Sequence, residues 1–289
     1  MENLALAFLG LSREERALLR AIESGMKDHQ SVPSSIISQL SGLPARKVDF
    51  LLGQLFEKKL VERESLHYLG YRIGFDAYDL LALSDLVAKG ALNAIGERIG
   101  VGKESVVYQA FGEMPLALKF HRQGRTSFKH VRRLRHNLSN KSKVPWLYTA
   151  SLAARHEHQI MEKLCQEVSI PRPVAVSRHV LAMEFVSGPP LNRITLSDPV
   201  DGLELILAEV AKAFHLGIIH ADLSEFNIMV AESGPKIIDW PQAVEVTHPH
   251  ARELLERDLA NVLRFFQRKY GIKMPLEEAL QRMEGAERI

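Results

Sequence analysis

The sequence has a single cysteine, Cys165, in 289 residues. An internal disulfide needs two cysteines and a cysteine-based zinc site needs several, so neither can hold the fold together. Apolar runs are also short, and none approaches the roughly 18–20 residues that a membrane-spanning helix requires. The first residues lack the basic region and the small-residue cleavage site of a signal peptide. We therefore expect a soluble cytoplasmic protein that has no membrane partner.

Acidic residues are missing from one long stretch of the chain. Residues 114–156 contain no Asp or Glu but ten Lys or Arg, although the formal net charge of the whole chain is only +2. A stretch of one charge sign predicts an anionic partner rather than a particular fold. Phosphate groups are such anions, so nucleic acid is a candidate partner. The alternative is an exposed loop whose charge has no target.

The composition excludes a disordered chain, because 46% of the residues are hydrophobic and 25% are charged. Residues 1–90 have the pattern of a small helical domain. Ser12 and Glu15 form a capping-box pattern at the start of a helix. Pro44 precedes a second helix, whose apolar residues recur at the spacing of one helical face.

Two short apolar stretches, around Leu60-Val61 and over Leu66–Ile73, then predict a hairpin, and Phe75–Lys89 predicts a linking helix that stops at Gly90. Helix, turn, helix and hairpin is the order of a winged helix-turn-helix, in which Arg46 and Lys47 would contact nucleic acid. The alternative is a module that packs only against protein.

Residues 91–289 combine strand-like and helical segments. Val106–Phe120 and Val174–Phe185 are rich in β-branched and aromatic residues, as strands are. Strands first and helices later predict an α+β domain with two lobes, at about 91–186 and 187–289. The segments with helical spacing are Ser151–Gln166, Pro199–His215, His250–Tyr270 and Pro275–Met283.

Gly100 and Gly102 lie in a short loop between two apolar stretches that could pair as a hairpin. Two glycines at this spacing let backbone N–H groups approach a phosphate, although a simple turn is the commoner use of the pattern. Lys119 follows inside an apolar strand, where a buried ammonium needs an anion. The next acidic residue is Glu157, so a Lys–Glu pair that holds phosphates is available. An edge lysine that reaches solvent is the alternative.

Three residues that can carry chemistry lie between apolar, strand-like segments from position 219 to position 240. They are Asp222, Asn227 five residues later, and Asp239 seventeen residues after Asp222. Phosphoryl transfer from a nucleotide needs a carboxylate that positions the acceptor and oxygen ligands for magnesium. Asp222 fits the first role, while Asn227 and Asp239 fit the second. Each residue could alone be a turn or capping residue, but together with Lys119 they predict a phosphotransferase.

These segments resemble the RIO family of atypical serine/threonine protein kinases. Gly102-Lys103-Glu104-Ser105 is similar to the family's phosphate loop, and Gly124–Phe128 is similar to the start of its basic loop. Segments 222–227 and 238–242 are similar to its catalytic and metal loops. A winged helix ahead of the two-lobed kinase-like domain points to the type-two branch. The chain departs from the family at Ala221, which is usually glycine, and at Trp240, which is more often phenylalanine.

The resemblance implies which residues contact ATP and its metal ion. Asp222 would be the catalytic aspartate, and Asn227 and Asp239 would hold Mg²⁺, or Mn²⁺ in its place. Family members have been described as ATPases that pass through a phosphorylated metal-site aspartate, here Asp239. The residues implied at ATP are Gly100, Gly102, Lys103, Ser105, Lys119 paired with Glu157, and Met183, Glu184 and Val186 of the hinge, where backbone groups of the last two would hold adenine.

The resemblance also implies late maturation of the small ribosomal subunit as the biological role. A winged helix and a basic loop would then meet ribosomal RNA or protein, and we expect a monomer. No Ala-Pro-Glu segment follows Asp239, so autophosphorylation or ATP hydrolysis is expected rather than phosphorylation of a free peptide. The residues implied at the partner are Arg46 and Lys47 in the winged helix, and Arg125, Lys129, Arg132, Arg133 and Arg135 in the basic loop.

Two other functions stay open from the sequence. Aminoglycoside and choline kinases share a His-x-Asp motif, a later asparagine and an Ile-Asp-Trp-like segment. They usually carry a His-Pro pair where this chain has Ser224-Glu225-Phe226, and they lack the amino-terminal module. The second alternative is a DNA-binding regulator with a degenerate kinase domain, against which stands the presence of every nucleotide-handling residue.

Overall fold

A computed structural model describes residues 4–65, 68–122 and 146–285 of the chain. The chain divides into two compact units. The first unit comprises Met1–Glu113, Phe120–Ser151 and Ser177–Val180, and the second comprises Met114–Lys119, Leu152–Val176 and Leu181–Ile289. The domain boundary near residue 90 stays a prediction. None of the helices in these three ranges is long and apolar enough to cross a membrane.

The first unit begins with the predicted winged helix. Its elements are α1 (Leu4–Leu9), α2 (Arg13–Gly25), β1 (Val32–Pro33), α3 (Ser34–Ser41), α4 (Ala45–Glu57), β2 (Val61–Ser65), β3 (Leu69–Ile73) and the linking helix α5 (Phe75–Ala88). The predicted hairpin is confirmed, because β2 and β3 pair antiparallel in a small sheet of order β1-β3-β2.

Local sequence signals explain where these helices begin and end. At the start of α2, the Ser12 hydroxyl accepts from the Glu15 N–H at 3.1 Å and the Glu15 carboxylate accepts from the Ser12 N–H at 2.8 Å, which confirms the capping box. Helix α4 buries the apolar face that its spacing predicts, and Leu52 and Leu55 have no exposed surface. Helix α5 ends just before Gly90, which adopts a left-handed φ of 72°.

A five-stranded sheet follows, with strand order β4-β5-β6-β8-β7. Each of the two strand-like stretches forms two strands, separated by short turns at Gly112 and at Arg178. The strands are β4 (Ala94–Val101), β5 (Ser105–Phe111), β6 (Pro115–His121), β7 (Pro173–Ser177) and β8 (Val180–Glu184).

The remaining elements are mostly helical. They are α6 (Trp146–Leu164), α7 (Pro199–His215), β9 (Ile218–Ile219), β10 (Ile228–Ala231), β11 (Gly234–Ile237), β12 (Val244–Glu245), α8 (Ala251–Tyr270) and α9 (Leu276–Gly285). In the second unit, α7 and α8 enclose an apolar core that includes Trp240 and Phe266. The antiparallel hairpin β10–β11 pairs Ile228 with Ile237, so residues 227 and 238 lie side by side where the hairpin opens.

Candidate active site

A buried lysine lies between two carboxylates in the second unit. Lys119 comes from β6 and Glu157 from α6, and Lys119 Nζ lies 2.5 Å from Glu157 Oε1 and 2.5 Å from Asp239 Oδ1. The Lys–Glu pair expected from the sequence is therefore present. The exposed fraction of the side chain is 1% for Glu157 and 42% for Asp239. Lys119 thus has one permanent partner in the interior and one partner that an incoming ligand can reach.

The two carboxylates keep Lys119 charged. Burial on its own would lower the pKa of Lys119, because it removes water from the ammonium group. The attraction of Glu157 and Asp239 outweighs burial, and the pKa of Lys119 is raised above its ordinary value. A fixed cation away from bulk water attracts phosphate oxygens more strongly than one on the surface.

Glu157 also fixes the segment that carries Asp239. Its Oε1 accepts a hydrogen bond of 2.9 Å from the backbone N–H of Trp240, and the Trp240 indole N–H donates to the carbonyl of Ile237 at 3.1 Å. Trp240 is buried, with 1% of its surface exposed. Asp239 has a φ of 71°, a left-handed conformation that costs energy for a residue with a Cβ. The anchored tryptophan holds Asp239 in that conformation.

Asn227 lies beside both aspartates of the predicted site. Its side-chain Nδ2 donates to the carbonyl of Asp222 at 2.8 Å, and its own carbonyl accepts from the Ile238 N–H at 2.9 Å. The structure therefore brings Asp222, Asn227 and Asp239 into one region of the second unit. The amide oxygen of Asn227 is the atom that could bind a metal ion, because the amide nitrogen is a donor only.

The oxygen ligands of this region fit magnesium. Among the described parts of the chain, no group of three or more His, Cys, Asp or Glu side chains is placed to hold a metal ion by itself. Magnesium does not need such a group, because it is commonly held by one or two carboxylates together with phosphate oxygens and water. An aspartate and an asparagine amide supply ligands of that kind.

Asp258 is a site residue that the sequence analysis missed. It is buried on α8, and its carboxylate accepts from the N–H groups of Ala221 at 2.6 Å and Leu223 at 3.0 Å, on either side of Asp222. Burial raises the pKa of Asp258 to about 6, even though both hydrogen bonds favour the charged form. One signal could have found it, since Asp258 is the polar member of an apolar helical face with Leu255 and Leu259.

His220 is a buried residue that connects the segment before Asp222 with the segment before Asp239. Its Nε2 lies 3.0 Å from the carbonyl of Ile238, and its ring centroid lies 4.6 Å from that of Trp240. A carbonyl can only accept, so Nε2 carries the proton. Burial lowers the pKa of His220, although the Ile238 carbonyl and the neighbouring carboxylates act in the opposite direction. His220 is therefore a neutral donor that links the segments before Asp222 and before Asp239.

The predicted hinge, Met183 to Val186, begins with the last two residues of β8, in the second unit. The Glu184 N–H donates to the carbonyl of Arg172 at 2.8 Å, and the Glu184 carboxylate lies 3.3 Å from Lys236 Nζ. The N–H of Glu184 is therefore already used.

The predicted phosphate loop lies in the first unit, at the turn between β4 and β5. Gly100 pairs with Val107, and the Gly102 N–H donates to the Ser105 carbonyl at 2.8 Å. Neither glycine has a positive φ, and a Cβ added at Gly100 would meet its nearest atom at an ordinary 3.7 Å. The shape of the turn therefore does not require glycine at these positions. This favours the other interpretation of Gly100 and Gly102, that the absence of a side chain gives a ligand access to the backbone.

The predicted partner-binding residues fall into two groups. Arg46 and Lys47 are exposed at the start of α4, and Lys47 forms an ion pair with Glu14. The basic loop, including Gly124–Phe128, lies outside the described residues. Its residues named above are Arg125, Lys129, Arg132, Arg133 and Arg135.

Comparisons with known proteins agree with the resemblance. A family model for the RIO domain matches residues 106–279, and a model for the amino-terminal domain of Rio2 matches residues 8–89. The chain belongs to the RIO family, in its Rio2 branch. The Rio2 kinase of Methanocaldococcus jannaschii is 40% identical over 86% of this chain and 93% of its own length. The rio2 kinase of Schizosaccharomyces pombe is 34% identical over 95% of this chain and 82% of its own length.

The solved structures of Rio2 kinases confirm the predicted fold class. The Rio2 kinase of Chaetomium thermophilum, solved as an ADP/Mg²⁺-phosphoaspartate complex, matches with a TM-score of 0.84 and 31% identity, over 96% of this chain and 88% of that one. A second structure of the same kinase matches with a TM-score of 0.81 and 33% identity, over 96% of this chain and 87% of that one. This Rio2 chain is an atypical serine/threonine protein kinase. The family assignment argues against both the small-molecule phosphotransferase and the degenerate kinase.

Asp258→Asn tests whether Asp258 positions the loop around Asp222. An amide offers one acceptor oxygen where the carboxylate offers two, so the backbone N–H of either Ala221 or Leu223 loses its hydrogen bond to residue 258. We expect kcat for phosphoryl transfer to fall by about tenfold or more, since small displacements of a catalytic group are costly. The KM for ATP should change little, because Lys119 and Glu157 are untouched. The exposed Asp201→Asn is the matched control, and an unchanged kcat in Asp258→Asn would contradict the assignment.

Ala221→Gly tests whether the left-handed turn before Asp222 stores strain. Ala221 has a φ of 62° and is 7% exposed, while Ala211 is also 7% exposed but lies within α7. Ala221→Gly and its control Ala211→Gly each remove one buried methyl group. Glycine costs about 1 kcal/mol in a helix and relieves about 1–2 kcal/mol in the left-handed region. Chemical denaturation should show Ala221→Gly to be the less destabilising by more than 1 kcal/mol, and equal losses would rule out strain.

Proposed function

We propose that this chain transfers the γ-phosphoryl group of ATP in the site formed by Lys119, Glu157, Asp222, Asn227 and Asp239. The observation that carries the proposal is the position of Lys119 Nζ, 2.5 Å from both Glu157 and Asp239. Glu157 holds the ammonium in place from the interior. The accessible side of the same ammonium can exchange Asp239 for the α- and β-phosphates, so Lys119 never loses all of its partners.

Asn227 and Asp239 would hold Mg²⁺ in this site. Amide and carboxylate oxygens are ligands that Mg²⁺ accepts, and Mn²⁺ prefers similar ligands. When it is bound, the metal ion neutralises charge on the phosphates. The structure of the Chaetomium thermophilum Rio2 kinase, described with ADP and Mg²⁺, supports this choice of nucleotide and metal.

Asp222 would act on the acceptor. Its carboxylate is exposed, while the residues on both sides of it are buried and held by Asp258. In the transfer to a serine or threonine hydroxyl, Asp222 would accept the hydroxyl proton, the hydroxyl oxygen would form a bond to the γ-phosphorus, and the bond from that phosphorus to ADP would break.

ATP hydrolysis through Asp239 is the second candidate, favoured by the phosphoaspartate in the Chaetomium thermophilum structure. An oxygen of the Asp239 carboxylate would form a bond to the γ-phosphorus as the bond to ADP breaks. Water would then release inorganic phosphate and restore the carboxylate. Asp239 is 42% exposed and adjoins Lys119, so it can meet both the phosphate and water.

For the partner, we propose RNA of maturing small ribosomal subunits, bound by a monomer in the cytoplasm. The absence of acidic residues from 114–156 and the exposure of Arg46 and Lys47 support this proposal. The ion pair of Lys47 with Glu14 is no obstacle, because an exposed pair contributes only about 0–1 kcal/mol and can be exchanged for a phosphate.

Asp222→Ala and Asp239→Asn test the catalytic assignments. We expect each variant to lose at least about a hundredfold in phosphoryl transfer to protein, because Asp222 handles the acceptor proton and Asp239 is a metal ligand. The measurement is phosphate incorporation from radiolabelled ATP, with thermal melting to show that each variant is folded.

A matched control and a chemical readout make this test specific. Glu232→Gln changes an exposed carboxylate on the β10–β11 turn and should leave the rate unchanged. Hydroxylamine cleaves an acyl phosphate but leaves a phosphoserine intact, so it separates modified Asp239 from a modified hydroxyl. Full activity in both aspartate variants would falsify the assignment of this site.

Neutralising Arg132, Arg133 and Arg135 tests the RNA partner. Each lost phosphate contact should lower the slope of log affinity against log salt by about 0.7 for single-stranded RNA. RNA affinity should therefore fall, with the slope reduced by about 2, while ATP affinity stays constant. The control variant neutralises the exposed residues Lys163, Arg252 and Lys273. Equal losses of RNA and ATP affinity, or equal effects of the two triple variants on RNA, would count against the partner.

A further inference from the structure

A buried ion pair joins the linking helix α5 to the end of strand β6 within the first unit. Arg122 donates two hydrogen bonds to Asp79, from Nη1 to Oδ1 at 2.7 Å and from Nη2 to Oδ2 at 2.6 Å. The exposed fraction of the side chain is 6% for Asp79 and 14% for Arg122. A bidentate pair of this kind fixes both orientation and position.

Aromatic and histidine side chains enclose the pair. The Arg122 guanidinium lies 4.6 Å from the ring centroid of Phe75 and 5.5 Å from that of Phe120. His179 Nε2 lies 2.8 Å from Asp79 Oδ1. Burial lowers the pKa of His179 to about 4, so the histidine is neutral and Arg122 supplies the charge that balances Asp79.

The backbone of Arg122 contacts the predicted phosphate loop. Its N–H donates to the carbonyl of Glu104 at 2.7 Å, and Glu104 lies inside the turn that the Gly102–Ser105 hydrogen bond closes. The same arginine is thus held through its side chain by α5 and holds the loop through its main chain. The direction of the Glu104 carbonyl, and with it the orientation of the neighbouring N–H groups, depends on where Arg122 sits.

We infer that Asp79 is a positioning residue of the nucleotide site, which acts through Arg122 on the phosphate loop. The inference rests on the proposed function, because it needs residues 102–105 to contact the phosphates of ATP. Asp79 lies within the match to the amino-terminal Rio2 domain, residues 8–89. Through Asp79, the amino-terminal domain would therefore act on the phosphate loop of the first unit in addition to presenting a surface to partners.

A reciprocal effect follows from this arrangement. A partner that shifted α5 would move Asp79, release Arg122 and lower the affinity for ATP. Coupling between two binding events is symmetric in free energy, so bound ATP weakens the same partner by the same factor.

Asp79→Asn tests the inference through the difference between ATP and adenosine. The neutral amide cannot balance Arg122 and cannot accept both of its hydrogen bonds. We expect about tenfold weaker binding of ATP, within the usual range for coupling between sites, and unchanged binding of adenosine, which has no phosphates for the loop to contact. Both affinities are measured by calorimetry on the full chain.

Asp85→Asn is the matched control. Asp85 lies on the same helix and also pairs with arginines, Arg178 at 2.5 Å and Arg20 at 2.7 Å, but neither arginine has a main-chain bond to the loop among the hydrogen bonds of the described residues. This variant should keep both affinities. Arg122→Lys keeps the charge and the backbone N–H but loses the bidentate geometry, so it should show a smaller loss of ATP affinity. It carries the test if Asp79→Asn does not fold.

The possible results separate this inference from the proposed function. If the wild-type chain prefers ATP to adenosine and both Asp79→Asn and Arg122→Lys keep that preference, the inference is wrong and the proposed function stands. Equal losses of ATP and adenosine affinity would show general damage and overturn the positioning role. A wild-type chain that binds adenosine as tightly as ATP would overturn the proposed function and this inference together.

Discussion

The site depends on one buried carboxylate. Glu157 is almost fully removed from solvent, and a charge in that position is stable only with close, well-aligned partners. Its partners are the ammonium of Lys119 and the backbone N–H of Trp240, which come from a strand early in the domain and from the segment after β11. Each of these groups needs Glu157 in turn, since Lys119 would otherwise be a buried cation with only the half-exposed Asp239 to balance it.

Strain is concentrated where the site meets its ligands. Asp239 and Ala221 are two of only four non-glycine residues with positive φ among the described residues; Asp239 is a proposed metal ligand, and Ala221 directly precedes Asp222, the proposed catalytic aspartate. Such conformations persist only when the surroundings hold them. At Asp239 the restraint is the anchored Trp240. At Ala221 the restraint is the Asp258 carboxylate, which accepts hydrogen bonds from the N–H groups of Ala221 and Leu223. Burial in this position raises the pKa of Asp258.

The sequence predicted those parts of the site whose signal is local. Lys119 and the spacing of Asp222, Asn227 and Asp239 could be recognised because each of them lies within or between apolar segments, and the short hairpin β10–β11 makes sequence neighbours into spatial ones. Asp258 was missed because only the packing of α8 against the loop brings it to Asp222, 36 residues earlier in the chain. The hydrogen bonds of the Glu184 and Arg122 N–H groups are also tertiary, and backbone groups leave no trace in composition or periodicity.

Helix α5 is held within the first unit by charge as well as by its buried apolar residues. Two aspartates six residues apart on α5, Asp79 and Asp85, each pair with an arginine, Arg122 directly after β6 and Arg178 in the turn after β7. Apolar packing tolerates small sliding of a helix, whereas two bidentate or short ion pairs do not. The pair of Asp79 with Arg122 is the more buried of the two, with exposed side-chain fractions of 6% and 14%, against 32% for Asp85 and 13% for Arg178. Arg122 also donates its main-chain N–H to Glu104 of the predicted phosphate loop, so of the two aspartates Asp79 is the one whose ion pair reaches that loop.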